Sequence, residues 1–158
     1  MSIINKIWKT EEKKLPCTNC IVFGNDNVII LDFVTYYESN TKKSSAEISP
    51  LCDTTISSIL KYNPCENWVW VDIWNELIAD GKQKFVCGEG SYGNEGFVAC
   101  EDLEGNLIWG MFFDQTNPIA ELKIIDNILI GITEHRESQI EINLKDITDI
   151  KFIIYDRD

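Results

Sequence analysis

Lys84-Phe85-Val86-Cys87, Gly96-Phe97-Val98-Ala99-Cys100 and Asn106-Leu107-Ile108-Trp109-Gly110-Met111-Phe112-Phe113 open the stretch whose reading decides the fold. Further runs follow at Ile119 to Ile125, Ile128 to Thr133, Gln139 to Leu144 and Thr148 to Tyr155. Each is rich in branched and aromatic residues, which suit a pleated, half-buried surface. Turn chemistry separates them at Gly88 to Glu95, Glu104-Gly105, Asn117-Pro118, Asp126-Asn127, Glu134 to Ser138 and Lys145-Asp146. Short strands with short links predict an antiparallel meander, because parallel pairing needs crossover connections for which these links leave no room. The expected fold is mainly β: a curved sheet or two-sheet sandwich, with one or two short helices from the first half covering a face or an end.

Upstream, Ile21-Val22-Phe23 and Val28-Ile29-Ile30-Leu31 flank Gly24-Asn25-Asp26-Asn27, whose residues tolerate left-handed turn conformations, so a hairpin is expected there. Glu38 to Ser45 has no apolar period and reads as a mobile loop. A short helix is expected around Ile56, Ile59 and Leu60, capped by Asp53 or Thr54 and stopped before Asn63-Pro64. In Trp68 to Ala79, Trp70, Ile73, Trp74, Leu77 and Ile78 fall at helical spacing, with Asn67 as a cap and Gly81 as a stop. Yet Trp68-Val69-Trp70-Val71 alternates like a strand; the reading leans to helix.

The chain has 158 residues, near the commonest domain size, and a single domain is expected across 1–158. With 44% hydrophobic residues it has enough apolar material to offset chain entropy. Met1 to Lys6 lacks a basic segment followed by an apolar run, and no later window is apolar enough for a span, which points to the cytoplasm and away from membranes. Six cysteines are then better read as reduced thiols than as bridges. Formal net charge is −12. Residues 1–88 hold nine basic and eleven acidic residues, whereas 89–158 hold five and fifteen, so the second half carries nearly all of the excess. Such a field repels phosphate backbones and attracts cationic partners, which argues against nucleic acid as a ligand. It also serves solubility alone.

Gly88-Glu89-Gly90-Ser91-Tyr92-Gly93 matches G-x-G-x-x-G, but Asn94 to Cys100 reads as strand, not as the helix whose amides hold a pyrophosphate. A glycine-rich hairpin loop, with Gly93 and Asn94 at positive φ, is the better reading, and no cofactor is expected. Cys17-Thr18-Asn19-Cys20 has the spacing of half a zinc knuckle. The other cysteines, Cys52, Cys65, Cys87 and Cys100, are isolated and only His135 offers an imidazole, so buried or half-buried thiols are expected and no metal. His135 lies among Glu134, Arg136 and Glu137 and reads as an exposed turn residue. No G-x-S-x-G elbow, Walker loop or H-E-x-x-H occurs, and the expected role is non-enzymatic. Of the tryptophans Trp8, Trp68, Trp70, Trp74 and Trp109, the default place for Trp70, Trp74 and Trp109 is the core. Surface aromatics beside acids make protein-binding anchors. The partner-facing set expected on that ground is Glu89, Tyr92, Glu95, Glu101, Asp102, Glu104 and Trp109.

The run Gly88 to Val98, then Asn106-Leu107-Ile108-Trp109 and Asn117-Pro118, followed by Ile128 to Thr133 and a C-terminal strand pair rich in Ile, Leu and Asp, resembles small bacterial immunity proteins of polymorphic-toxin and contact-dependent growth inhibition systems. The resemblance covers roughly the last 75 residues and is one of style. It implies a small acidic cytoplasmic protein that neutralises a cognate toxin by binding its active site or a neighbouring surface, and it carries over no individual residue. Toxins that cut nucleic acid need a cationic cleft, which a polyanionic surface suits. The alternative is a structural or adaptor domain whose acidic surface only confers solubility; a small enzyme or a metal-binding protein using Cys17 and Cys20 is the third reading.

Overall fold

In the computed structural model, which describes residues 1–62 and 68–156, the first hairpin forms where the turn residues place it. β2 (Cys20–Phe23) pairs antiparallel with β3 (Asn27–Glu38), Ile21 opposite Ile29, and Asp26 takes φ 75° in the turn. Here β1 is Lys14–Pro16 and α1 is Ile3–Trp8. The chain continues through β4 (Lys43–Thr55), α2 (Ile56–Tyr62), β5 (Trp68–Trp70), β6 (Asp72–Ala79), β7 (Gln83–Glu89), β8 (Gly96–Asp102) and β9 (Leu107–Phe113). Then come β10 (Ile119–Ile125), β11 (Ile128–Thr133), a 3₁₀ turn at Glu134–Arg136, β12 (Ser138–Asn143) and β13 (Ile150–Ile154).

These strands form a seven-stranded sheet in the order β4-β3-β2-β9-β8-β7-β6, a four-stranded meander β10-β11-β12-β13, and a β1-β5 pair. All pairings are antiparallel. One face of the large sheet, with Phe33, Phe85, Trp109 and Phe113, meets Leu129, Ile140, Ile142 and Phe152 of the meander. Its other face, with Val22, Val86, Phe97 and Phe112, is covered by Ile4 and Trp8 of α1, Leu15 of β1, Val69 of β5 and Val71 after it, and Ile56 of α2. The middle of the large sheet is thus apolar on both faces, and β8 is buried at every position from Gly96 to Glu101. Strands buried on both sides read as continuous apolar runs rather than as alternation, which is what Phe97-Val98-Ala99-Cys100 and Trp109 to Phe113 are.

Several expectations are corrected. Trp68 to Ala79 is strand, not helix: Val69 and Val71 point into the second core while Trp70, Ile73, Trp74 and Ile78 are exposed, so the helical spacing of the last four does not mark a buried face. Of Trp70, Trp74 and Trp109, only Trp109 is core. Gly81 ends no helix but takes φ 64° in the β6–β7 turn. Glu38 to Ser45 is not a loop throughout, since β3 runs to Glu38 and β4 starts at Lys43. Its polar residues lack an apolar period because both faces of the ribbon are exposed there. The helix after β4 takes its capping bond from Thr55, the residue directly before it, whose Oγ1 accepts from the Ser58 amide at 3.1 Å, rather than from Asp53 or Thr54 further back in the strand. The Asn63-Pro64 stop, the Asn67 cap and Cys65 lie outside the described residues. Sequence reasoning did not anticipate α1, capped by Ser2 and anchored by Asp26, whose carboxylate accepts from the Ile3 and Ile4 amides at 2.9 and 2.8 Å. Among the described residues, no helix is long and apolar enough to cross a membrane.

Gly88 marks where the β6 edge is bent over its neighbour. A bulge between Ile73 and Asn75 brings β6 backbone so close that a Cβ on Gly88 would lie 1.8 Å from the Asp72 carbonyl oxygen and 2.9 Å from the Trp74 nitrogen. Backbone atoms cannot swing aside as a side chain does. Gly88→Ala is expected to lower the unfolding free energy by about 3 kcal/mol, measured by urea denaturation; an unchanged midpoint would contradict the close approach.

Candidate partner-binding surface

Antiparallel order gathers a defined set of connections at one end of the sandwich. They are Cys17 to Asn19 before β2, the β3–β4 turn, Val71 between β5 and β6, the 90–95 loop, the 114–118 loop and the 3₁₀ turn Glu134–Arg136. Hydrogen bonds knit them together. The Asp114 amide donates to Asn19 Oδ1 at 2.9 Å, the Asn117 amide to the Asn94 carbonyl at 2.9 Å, and the Glu134 amide to the Pro118 carbonyl at 2.8 Å. Ser91 Oγ donates to the Trp70 carbonyl at 3.0 Å, so the β7–β8 loop lies beside the start of β6. Loops held on a rigid scaffold in this way are where binding residues concentrate.

This end carries exposed aromatic rings within an acidic setting. Trp70 is 57% exposed and Tyr92 76%. The Lys14 ammonium stands over the Trp70 ring, 5.4 Å from its centroid, so that ring already receives a cation. Asp72 lies directly opposite Glu89 in the β6–β7 ladder. Like charges at such a position are destabilising, and among the described residues neither carboxylate has an ion-pair partner. Asp114 adds a further exposed carboxylate.

The seven residues expected to face a partner do not form one patch. Glu89 and Tyr92 lie at this end. Glu95 is buried under the loop: its Oε1 accepts from the Tyr92 amide at 3.2 Å and the side chain lies against Gly90. Burial lifts its carboxyl above the ordinary value, the Tyr92 and Ser91 amides pull it down, and Asp114 adds to the rise. Glu95 therefore positions the loop that presents Tyr92. Glu101, Asp102 and Glu104 sit at the far end of β8, a strand of seven residues and so about 20 Å away. Glu101 is 2% exposed, accepts from Trp8 Nε1 at 2.9 Å and pairs with Lys84 at 3.4 Å. Lys13, whose ammonium donates to the Trp8 carbonyl at 2.7 Å, completes this tie between α1 and the sheet; burial pushes its pKa down. Asp102 orders the β8–β9 turn through Asn106, whose side chain and amide both donate to it and hold its carboxyl below the ordinary value. Trp109 is core, beside Phe85 at 6.2 Å between ring centroids. Sequence reasoning missed Trp70, Asp72 and Asp114; the alternation Trp68 to Val71 was the signal available for the first two.

The other chemical motifs resolve as follows. The G-x-G-x-x-G stretch joins two strands, with Gly93 at φ 82°; Asn94 is not among the positive-φ residues, its carbonyl being held by Asn117. Cys17 and Cys52 are exposed free thiols, whereas Cys20, Cys87 and Cys100 are buried, their pKa values pushed up to about 12 by burial. Low-pKa thiolates do the work in reactive cysteine sites, and these three are shifted the other way. Among the described residues, no group of three or more His, Cys, Asp and Glu side chains is placed to hold a metal ion. His135 is exposed, at φ 66° in the 3₁₀ turn. No protein-family model matches the sequence, and no curated protein is significantly similar to it.

Two outcomes follow from these placements. Glu101→Ala leaves the buried Trp8 Nε1–H and the Lys84 ammonium without their acceptor and is expected to cost about 3 kcal/mol by chemical denaturation; Tyr92→Ala should stay within about 0.5 kcal/mol of wild type. Because the Glu95 carboxyl is raised in the folded chain, its contribution to stability is present below the unfolded value and is lost as pH rises through the folded value. Glu95→Gln cannot ionise, so its unfolding free energy relative to wild type should increase between about pH 4 and about pH 7. A difference that stays flat with pH would contradict the burial of this carboxylate.

Proposed function

We propose that the chain is a non-enzymatic inhibitor, an immunity-type protein that binds and neutralises a cognate cationic toxin domain of the nuclease type. The observation that carries the reading is the pair of carboxylates Asp72 and Glu89, without an ion-pair partner among the described residues and directly opposite one another beside the exposed rings of Trp70 and Tyr92. A partner's arginine or lysine set between those carboxylates relieves their repulsion, while the rings supply desolvated anchor area of the kind that dominates binding energy. The net charge of −12 steers a basic domain towards the surface and repels the nucleic acid that competes for the same cationic cleft. The resemblance of residues 84–158 to immunity proteins supports the same reading. A second reading, an adaptor or structural domain with a merely solubilising surface, is favoured by the acids at the opposite end, where Asp80, Glu104, Asp126, Asp146 and Asp149 are also exposed.

Affinity capture from host extract at low and then moderate salt separates the two. A basic toxin domain released by salt, whose lethality is suppressed by expression of this chain, is the expected result; recovery of no basic partner would sink the inhibitor reading in favour of the second. Asp72→Lys sharpens the test, since it turns a repulsive cross-strand pair into an attractive one. It is expected to raise stability by up to about 1 kcal/mol while slowing association about tenfold.

A further inference from the structure

At the end of the sandwich opposite the clustered loops, a cavity of about 550 Å³ opens between the β2–β3 turn and the last residues of β4. Cavities of this size hold small molecules. Ile29 lies opposite Ile21 of β2 and Asp53 of β4, and Asn27 lies opposite Thr55. Strand alternation sets these side chains on one face with Phe23, the face that meets the meander farther along. Phe23 and Ile29 pack against that core but stay half-buried, which gives the cavity an apolar wall and floor. Asp53, exposed at the rim, is the one charged side chain among the described residues that line it. No ion pair among the described residues involves Asp53.

The walls are fixed by hydrogen bonds of their own. The Gly24 amide donates to the Ile108 carbonyl at 2.9 Å, the Asp26 amide to the Phe23 carbonyl at 3.0 Å, and the Asn27 amide to Asn25 Oδ1 at 3.0 Å. The Ile56 amide donates to the Asp26 carbonyl at 2.9 Å and so ties the end of β4 to the turn. The Asp26 carboxylate is held in turn by the first amides of α1. A site held in shape in advance loses little conformational freedom on binding.

We propose that this cavity is a binding site for a small organic cation, a primary ammonium carried on an aromatic body. Charge complementarity selects the class. The lining pairs a carboxylate with an aromatic ring and an aliphatic side chain and, among the described residues, holds no lysine or arginine. The ammonium pairs with Asp53, the carboxamide oxygen of Asn27 offers a second acceptor, and the body lies on Phe23 and Ile29. An anion of the same shape meets the Asp53 carboxylate and the field of a chain of net charge −12, and is rejected. The site stands at the opposite end of the molecule from Asp72 and Glu89 and does not rest on the inhibitor reading.

Titration of the intact, isotope-labelled chain with phenethylammonium at about 0.05 M salt, followed through amide chemical shifts, provides the test. The expected result is saturable shifts confined to residues 23–29 and 53–55, with a Kd of about 1 mM or tighter. Hydrocinnamate, which carries a carboxylate on a similar body, should bind at least about tenfold more weakly. Asp53→Asn should weaken phenethylammonium about tenfold and Phe23→Leu about threefold, and the same spectra report whether each variant is folded. Shifts that do not saturate by about 20 mM, or that spread over acidic residues across the whole surface, overturn the proposal. Equal binding of hydrocinnamate, or a folded Asp53→Asn chain that binds as wild type does, overturns it as well.

Discussion

Burial of the central strands on both faces is the constraint from which the rest of the structure follows. β8 and β9, with β2 beside them, present apolar side chains alternately to the meander and to the layer made by α1, β1, β5 and α2. The second cover does not stand by itself: a helix of six residues and a strand of three are too short to hold their shape without the sheet beneath them. The polar tie of Glu101 to Trp8 and Lys84 sits within this second layer and fixes where α1 lies. A carboxylate buried there is tolerated only because both partners reach it.

The same constraint decides what is left outside. With the middle of the sheet used for the core, exposed aromatics lie on the outer part of β3 (Tyr36, Tyr37), on β5 and β6 (Trp70, Trp74) and in the 90–95 loop (Tyr92), and the two edges of the sheet are finished differently. β6 is bulged and acidic, its Asp72 set against Glu89. β4 is long, charge-balanced along residues 34–49 and lined with serines opposite tyrosines. An acidic, aromatic loop end suits a cationic partner.

Much of the fold was legible in the sequence because antiparallel strands are local: every strand from Lys84 onward was placed within about two residues, and short links left no room for parallel pairing. The failures have physical causes. Trp68 to Ala79 mixes a short covering strand with an exposed edge, so its apolar residues answer to different layers and their helical spacing is accidental. α1 depends on Asp26, some twenty residues away in sequence, for its N-terminal hydrogen bonds. The candidate site was less legible still. Glu95, Glu101 and Trp109 look like surface acids and an anchor in a linear reading, but strand alternation and the covering layer turn them inward. Glu89 and Asp102 are thirteen positions apart and sit at opposite ends of the sheet, whereas Asp72 and Glu89, farther apart in sequence, are cross-strand neighbours.

Hydrogen exchange on the chain, alone and with a captured basic partner, most directly tests the claim that the loop end of this scaffold is the binding surface. The account predicts that binding adds protection to amides of residues 70–72, 89–95 and 114–118, while those of β2, β8 and β9 are already the slowest in the free chain. New protection confined to the opposite turns, around Asp80 to Lys82 and Leu103 to Gly105, would contradict it.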